Sequence, residues 1–152
     1  MHSQHIACYL HYKDEFDSLP MLEAIWQAGK KCYLPVLTEQ KSLRFVRYHS
    51  GDTLQANQFS ILEPTDNTDE ISCQDLDMVI MPLVAFDMHG HRLGAGGGYY
   101  DRTFASLDKN ANKRPLMIGL AYTAQQADLL PSDEWDIGLD GIVTEHEFIM
   151  FP

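Results

Sequence analysis

Four short apolar runs with one capped helix between the first two constrain this chain more than any other feature. Ile6-Ala7-Cys8-Tyr9-Leu10, Cys32-Tyr33-Leu34-Pro35-Val36, Met78-Val79-Ile80-Met81 and Leu116 to Leu120 are each four or five residues long and apolar at nearly every position. Runs of that length bounded by turn residues read as strands buried on both faces. Between the first two, Asp17-Ser18 can cap a helix from Leu19 to Ala28, with Pro20 in its first turn and Gly29 as its stop. Leu22, Ile25 and Trp26 share one face of it. A strand, a helix and a second strand in about 30 residues make a right-handed βαβ unit.

The remaining pattern extends that unit. Leu43 to Tyr48 alternates as a half-exposed strand, and residues 49–75 read mostly as loop. A long loop leads from Pro82 to Gly98, a helix is expected from Tyr99 to Leu107, with Tyr100, Phe104 and Leu107 on one face, and Ile142-Val143 forms a last short strand. The fold class expected is α/β: a three-layer, open, mostly parallel sheet with helices on both faces, in a single domain over 1–152. Ligands of such sheets bind beyond the carboxyl ends of the strands, and the segment after Met81 leaves one of those ends.

Charge narrows the function. Eleven lysines and arginines against 22 acidic residues give −11. That disfavours nucleic acid and anionic membrane as partners, since both require a basic face. No apolar run approaches a membrane span, and Met1-His2-Ser3-Gln4-His5 lacks the basic start of a secretion signal. Cys8, Cys32 and Cys73 are too few and too scattered for a disulfide framework or a zinc site. A cytoplasmic location with reduced thiols is expected.

The chemistry concentrates after Met81. Gly94, Gly96, Gly97 and Gly98 fall within five positions, directly before the expected helix at Tyr99. Glycine permits close backbone approach, and consecutive free amides can cradle an anion such as phosphate. Two known phosphate loops are excluded: Gly98 is followed by Tyr99 where a P-loop needs lysine, and G-x-G-x-x-G from Gly94 would need glycine at 99. Asp101, expected to be exposed, would repel a phosphate unless a divalent cation such as Mg²⁺ lay between them. Arg92 and Arg102 flank the loop and can hold phosphate oxygens. His89 and His91 lack an evident third metal ligand and read as solvent-facing.

Phe86-Asp87-x-x-Gly90-x-Arg92-Leu93-Gly94-x-Gly96-x-Gly98-Tyr99-Tyr100-Asp101 resembles the signature of the 5-formyltetrahydrofolate cyclo-ligase (methenyltetrahydrofolate synthetase) family over sixteen positions. Asp14-Glu15, Gly29-Lys30, Leu34-Pro35, Glu63-Pro64, Asp75-Leu76-Asp77, Gln125, Leu130-Pro131, Asp136 and Val143-Thr144-Glu145 follow the family's order, so the resemblance runs from Ile6 to Glu145. It implies conversion of 5-formyltetrahydrofolate to 5,10-methenyltetrahydrofolate with Mg-ATP. The formyl oxygen attacks the γ-phosphate, the N10 amine attacks the imidate phosphate so formed, and phosphate leaves.

The resemblance also implies roles. Arg92, Leu93, Gly94, Ala95, Gly96, Gly97, Gly98, Tyr99 and Tyr100 would line ATP, with Arg92 and Tyr100 catalytic. Ala95 to Tyr99, Leu10 and Glu15 would contact the folate. Asp101 and Asp136 would hold Mg²⁺. Family members begin with a helical segment whose lysine and arginine reach the nucleotide, whereas here no lysine or arginine precedes Lys13. Weaker ATP binding and a monomer or weak homo-oligomer are expected from that difference. Gly97 is a smaller departure, at a position where some relatives carry lysine or another side chain and others carry glycine. The alternative is a truncated enzyme or a non-catalytic folate- or nucleotide-binding relative.

Overall fold

The computed structural model describes residues 3–105, 107 and 114–152. Met1 and His2, read above for a leader, and Ser106, in the expected second helix, lie outside them. In chain order the elements are β1 (His5–Ala7), α1 (Leu19–Gln27), β2 (Lys31–Leu37), β3 (Leu43–Arg47), β4 (Leu54–Ala56), β5 (Leu62–Pro64), β6 (Glu70–Ile71), β7 (Met78–Met81), β8 (Ala85–Phe86), β9 (Arg92–Leu93), α2 (Tyr99–Phe104), β10 (Leu116–Leu120), β11 (Gly141–Val143) and β12 (Phe148–Met150).

Eight strands form one sheet in the order β12-β11-β10-β7-β1-β2-β3-β6. The five central strands pair in parallel, and β12, β3 and β6 join antiparallel at the edges. This is the expected α/β fold. The apolar runs alternate between its two faces. Ala7, Tyr33, Phe45, Val79, Met81 and Met117 pack on one face with Phe104 of α2. Ile6, Cys8, Cys32, Leu34, Ile80, Ile118 and Leu120 pack on the other with Leu22 and Ile25 of α1. A strand buried on both sides needs both sets apolar, which is why these runs show no polar alternation.

Helix α1 begins and ends as its sequence dictates, with one difference. Asp17 Oδ1 accepts from the Leu19 amide at 3.0 Å, so Asp17 does the capping. Ser18 makes no cap bond. It is fully buried, donates to the Tyr9 carbonyl at 2.5 Å and accepts from the His11 amide at 3.1 Å. It thus ties the segment after β1 to the start of α1. At the other end Gly29 has φ +73°, and the amides of Gly29 and Lys30 bond to Trp26 and Ile25 carbonyls, a Schellman closure.

Three expectations are corrected. Residues 49–75 hold the β4–β5 hairpin and β6 rather than loop alone. The segment after Met81 holds a second hairpin, β8–β9. Helix α2 stops at Phe104 rather than Leu107.

The sheet order positions the site. From β1 the chain crosses through α1 to β2 on one side, and it later returns as β7 on the other side of β1. The crevice between β1 and β7, beyond their carboxyl ends, is the topological switch point of an open α/β sheet.

Candidate active site

A cleft of about 810 Å³ opens at that switch point. The segment after β1 contributes Leu10, Tyr12 and Glu15, and the segment after β7 contributes Pro82 to Val84 and Arg92 to Asp101. Asp136 and Pro131 close one side. Every residue that the family resemblance implies for ATP, folate or Mg²⁺ therefore faces one cavity, whereas Arg102, read as a second phosphate-holding arginine, does not line it. Sequence reasoning missed Phe59, Ile61, Leu62 and Glu63, which the β4–β5 hairpin brings to the same cleft from far along the chain. Glu63 locks that hairpin down: its Oε2 accepts from the Leu37 amide at 2.8 Å and from Asn57 Nδ2 at 3.0 Å.

The glycine loop supplies donors. The amides of Gly94 through Gly98 make no hydrogen bond among the described residues. Gly96 and Gly98 have φ of +103° and +69°, so the backbone turns through the left-handed region twice on its way into α2. A Cβ on Gly96 would meet no atom within 4 Å, because that position borders open cleft. Helix α2 has only six residues, so the loop amides rather than a long helix dipole form the donor set. Arg102 is turned away from the cleft: its Nη1 donates to the carbonyls of Lys41 and Gly97 and pins the loop against the β2–β3 turn.

Arg92 is the cation of the site. Its side chain is 5% exposed, and Nη2 donates to Asp101 Oδ1 at 2.7 Å. Its Nε is buried without a hydrogen-bond partner, and the guanidinium lies 5.9 Å from the centre of the Tyr100 ring. A buried guanidinium donor left unbonded is costly unless a ligand satisfies it.

Asp101, expected to be exposed, has a side chain only 25% exposed. Its Oδ1 accepts from both Arg92 and the Ile137 amide, at 2.7 and 2.8 Å, so it braces β9 against the 133–137 turn. Oδ2 accepts no hydrogen bond among the described residues. Asp136 uses Oδ2 to accept from the Asp133 amide at 2.9 Å. No cluster of three metal-ligating side chains occurs among the described residues. Two carboxylates, each with an oxygen to spare, nevertheless fit Mg²⁺, which typically takes one or two carboxylates together with phosphates and water.

Burial tunes the other polar groups. It pushes the Tyr100 hydroxyl up from its ordinary pKa, with the nearby Cys8 and Glu15 adding to the effect and Arg92 opposing it. Tyr100 is therefore a hydrogen-bond donor at neutral pH, not a base. Burial also raises Glu15, against the Tyr12 amide, which donates to Oε1 at 2.7 Å, and the charge of His11. His91, read as solvent-facing, instead places Nδ1 2.8 Å from Asp87 Oδ2, and Asp87 is fully buried.

The model described as the 5-formyltetrahydrofolate cyclo-ligase family matches residues 1–145. The chain belongs to the 5-formyltetrahydrofolate cyclo-ligase family. The cyclo-ligase of Escherichia coli (strain K12) is 42% identical over 142 residues, which cover 91% of this chain and 76% of that one. The cyclo-ligase of Haemophilus influenzae is 39% identical over 144 residues, 93% of this chain and 75% of that one. The solution structure of Aquifex aeolicus 5,10-methenyltetrahydrofolate synthetase superposes with a TM-score of 0.78 at 35% identity, over 97% of this chain and 72% of that chain. These relatives are ligases by name, and the shared fold brings this cyclo-ligase family member's signature to the switch-point cleft. No helix among the described residues is long and apolar enough to cross a membrane.

Proposed function

We propose that this protein closes 5-formyltetrahydrofolate to 5,10-methenyltetrahydrofolate, using ATP and Mg²⁺ and releasing ADP and phosphate. One observation carries the reading. A single cleft joins five unbonded loop amides and a buried, partly unsatisfied arginine to a mostly apolar slot bordered by Leu10 and Glu15. The first half suits a triphosphate, and the second suits a flat heterocycle with an aryl extension.

The formyl oxygen attacks the γ-phosphorus, and the bond to the ADP oxygen breaks. N10 then attacks the imidate carbon, loses its proton, and phosphate departs from that carbon. The protein's part is to align the reactants and balance charge. Arg92 supports the phosphoryl oxygens with the donors that the structure leaves unspent, and Tyr100 offers its retained hydroxyl proton beside it. The amides of Gly94 to Gly98 hold the phosphates, while Leu93 and Tyr99 wall the nucleotide. Ala95 to Tyr99 also border the formyl end of the folate. Leu10 packs on the heterocycle, and Glu15 accepts hydrogen bonds from its N–H groups. Asp101 and Asp136 would hold Mg²⁺, which supplies positive charge against the triphosphate.

The test is turnover of 5-formyltetrahydrofolate with Mg-ATP, followed by the near-ultraviolet absorbance of the methenyl product. Product that requires ATP is expected. Folded protein that forms none, or forms it equally without ATP, overturns the reading. Gly96→Val separates a phosphate cradle from a plain turn. The valine would project into open cleft at a left-handed φ, and ATP affinity should fall about tenfold or more, measured by calorimetric titration. Unchanged affinity would mean the loop is only a turn.

A further inference from the structure

A second, smaller cleft of about 200 Å³ adjoins the first. Leu10, Tyr12, Ile61 and Leu62 line both, so the two share walls. What the small cleft adds is His11, Lys13 and Ser60. We infer that Lys13, at the mouth of this cleft, is the receptor for the glutamyl carboxylates of the folate substrate and sets the enzyme's selectivity for them. The inference rests on the proposed function and names a further specificity-determining residue for that reaction.

The argument is electrostatic and geometric. The large cleft carries four carboxylates, Glu15, Glu63, Asp101 and Asp136, and one guanidinium, Arg92, which is already paired with Asp101. In a chain of net charge −11, a tail bearing two or more carboxylates would be repelled from most of that surface. Lys13 takes part in none of the ion pairs among the described residues, whereas His11 Nδ1 lies 3.2 Å from Asp17. The ammonium is held 5.2 Å from the centre of the Tyr12 ring, on the wall common to both clefts. Its backbone is fixed as well. Lys13 has φ +52°, an uncommon conformation for a residue with a side chain. It is clamped by two bonds across the turn, Glu15 amide to Tyr12 carbonyl and Tyr12 amide to Glu15 Oε1. The same turn therefore presents Glu15 inward to the heterocycle and Lys13 outward. Leu10, Ile61 and Leu62 line the apolar passage between them, which suits the benzoyl ring that joins heterocycle and tail.

The experiment compares Lys13→Gln with the parent protein on three substrates: 5-formyltetrahydrofolate, its γ-triglutamate, and a glutamate-free benzamide analogue. In Lys13→Gln, KM should rise about fivefold for the monoglutamate, the scale of one exposed ion pair. The rise should be larger for the triglutamate. KM for the analogue and KM for ATP should not move, and Lys13→Arg should restore most of the loss. Added salt should weaken the parent's preference for the triglutamate and leave the variant's unchanged. Equal effects on all three substrates, or none, would overturn the assignment while leaving the proposed activity intact. If the parent protein turns over none of the three, the proposed function itself fails and this subsite with it. Because the side chain is exposed and makes no ion pair, the variants should unfold at the parent's urea midpoint.

Discussion

Asp101→Asn is expected to lower turnover by about a hundredfold or more while the protein unfolds at the parent's urea concentration. The two halves of that result come from different oxygens. Oδ1 accepts from Arg92 Nη2 and from the Ile137 amide, and an asparagine carbonyl can do the same. The brace between β9 and the 133–137 turn should survive. Oδ2 is the oxygen available to a cation, and an uncharged NH₂ in its place cannot ligate one. The asparagine also leaves Arg92 without its counter-charge, which by itself favours phosphate binding. Loss of turnover together with unweakened nucleotide affinity would therefore single out the cation. The readouts are kcat at saturating substrate, its dependence on Mg²⁺ concentration, and nucleotide affinity by calorimetry. A variant that keeps the parent's rate and Mg²⁺ dependence would reduce Asp101 to a brace for Arg92. Asp101→Ala is the poorer experiment, because it removes both oxygens. It would leave the Ile137 amide and a nearly buried guanidinium unpaired, at a cost of about 1–3 kcal/mol for each buried donor, so lost rate and lost stability would mix.

That contrast shows which parts of the site the sequence made legible. The glycine loop was readable because its demand is local: five amides in a row need backbone freedom, and glycines at 94, 96, 97 and 98 provide it. The partnership of Arg92, Asp101 and the Ile137 amide was not readable. It depends on how β9, α2 and the turn before β11 converge, and residues 9 and 36 positions apart carry no periodic signal of their meeting. Hence an acidic residue in a first helical turn reads as exposed. The fold divides the same way. β1, β2, β7 and β10 are buried on both faces, so near-continuous apolar runs mark them. The β4–β5 hairpin is two short, largely exposed strands stitched by their own backbone and by Glu63. With little to bury it shows no alternation, and residues 49–75 look like loop. Phe59, Ile61 and Leu62 escaped notice as cleft residues for that reason. Their apolar surface has no purpose within the hairpin and acquires one only against the end of β1.

Asp87→Ala should cost about 3–5 kcal/mol of stability at neutral pH, a large fraction of a domain's total. Asp87 stands in the signature beside Phe86, yet its side chain does not reach the cleft. It is wholly buried and accepts four hydrogen bonds, from the amides of His89, His91 and Leu130 and from His91 Nδ1, at 2.8 to 3.0 Å. Those bonds close the β8–β9 hairpin and hold the strand before Arg92 against the 130 region. Alanine would leave three part-buried amides without their acceptor. The pH dependence gives the prediction its sign. Burial alone would raise the carboxyl, but the donors from Leu130, His91 and His89 outweigh it and hold the pKa at about 2. In the unfolded chain an aspartate titrates near 3.9. A folded pKa below the unfolded one means the carboxylate's contribution is fully present above about pH 4 and is lost as pH falls towards 2. Integrated over that interval it is worth about 2–3 kcal/mol. Urea unfolding of parent and Asp87→Ala proteins at pH 7, 5, 4 and 3 is the measurement. The stability difference should be flat from pH 7 to 5 and narrow below 4, because only the parent has the ionised acceptor to lose. A gap that stays constant down to pH 3 would show that Asp87 acts through packing rather than through its charge. Catalysis should follow stability only in part. Since Arg92 directly follows His91, loosening the hairpin should raise KM for ATP even under conditions where the variant is fully folded.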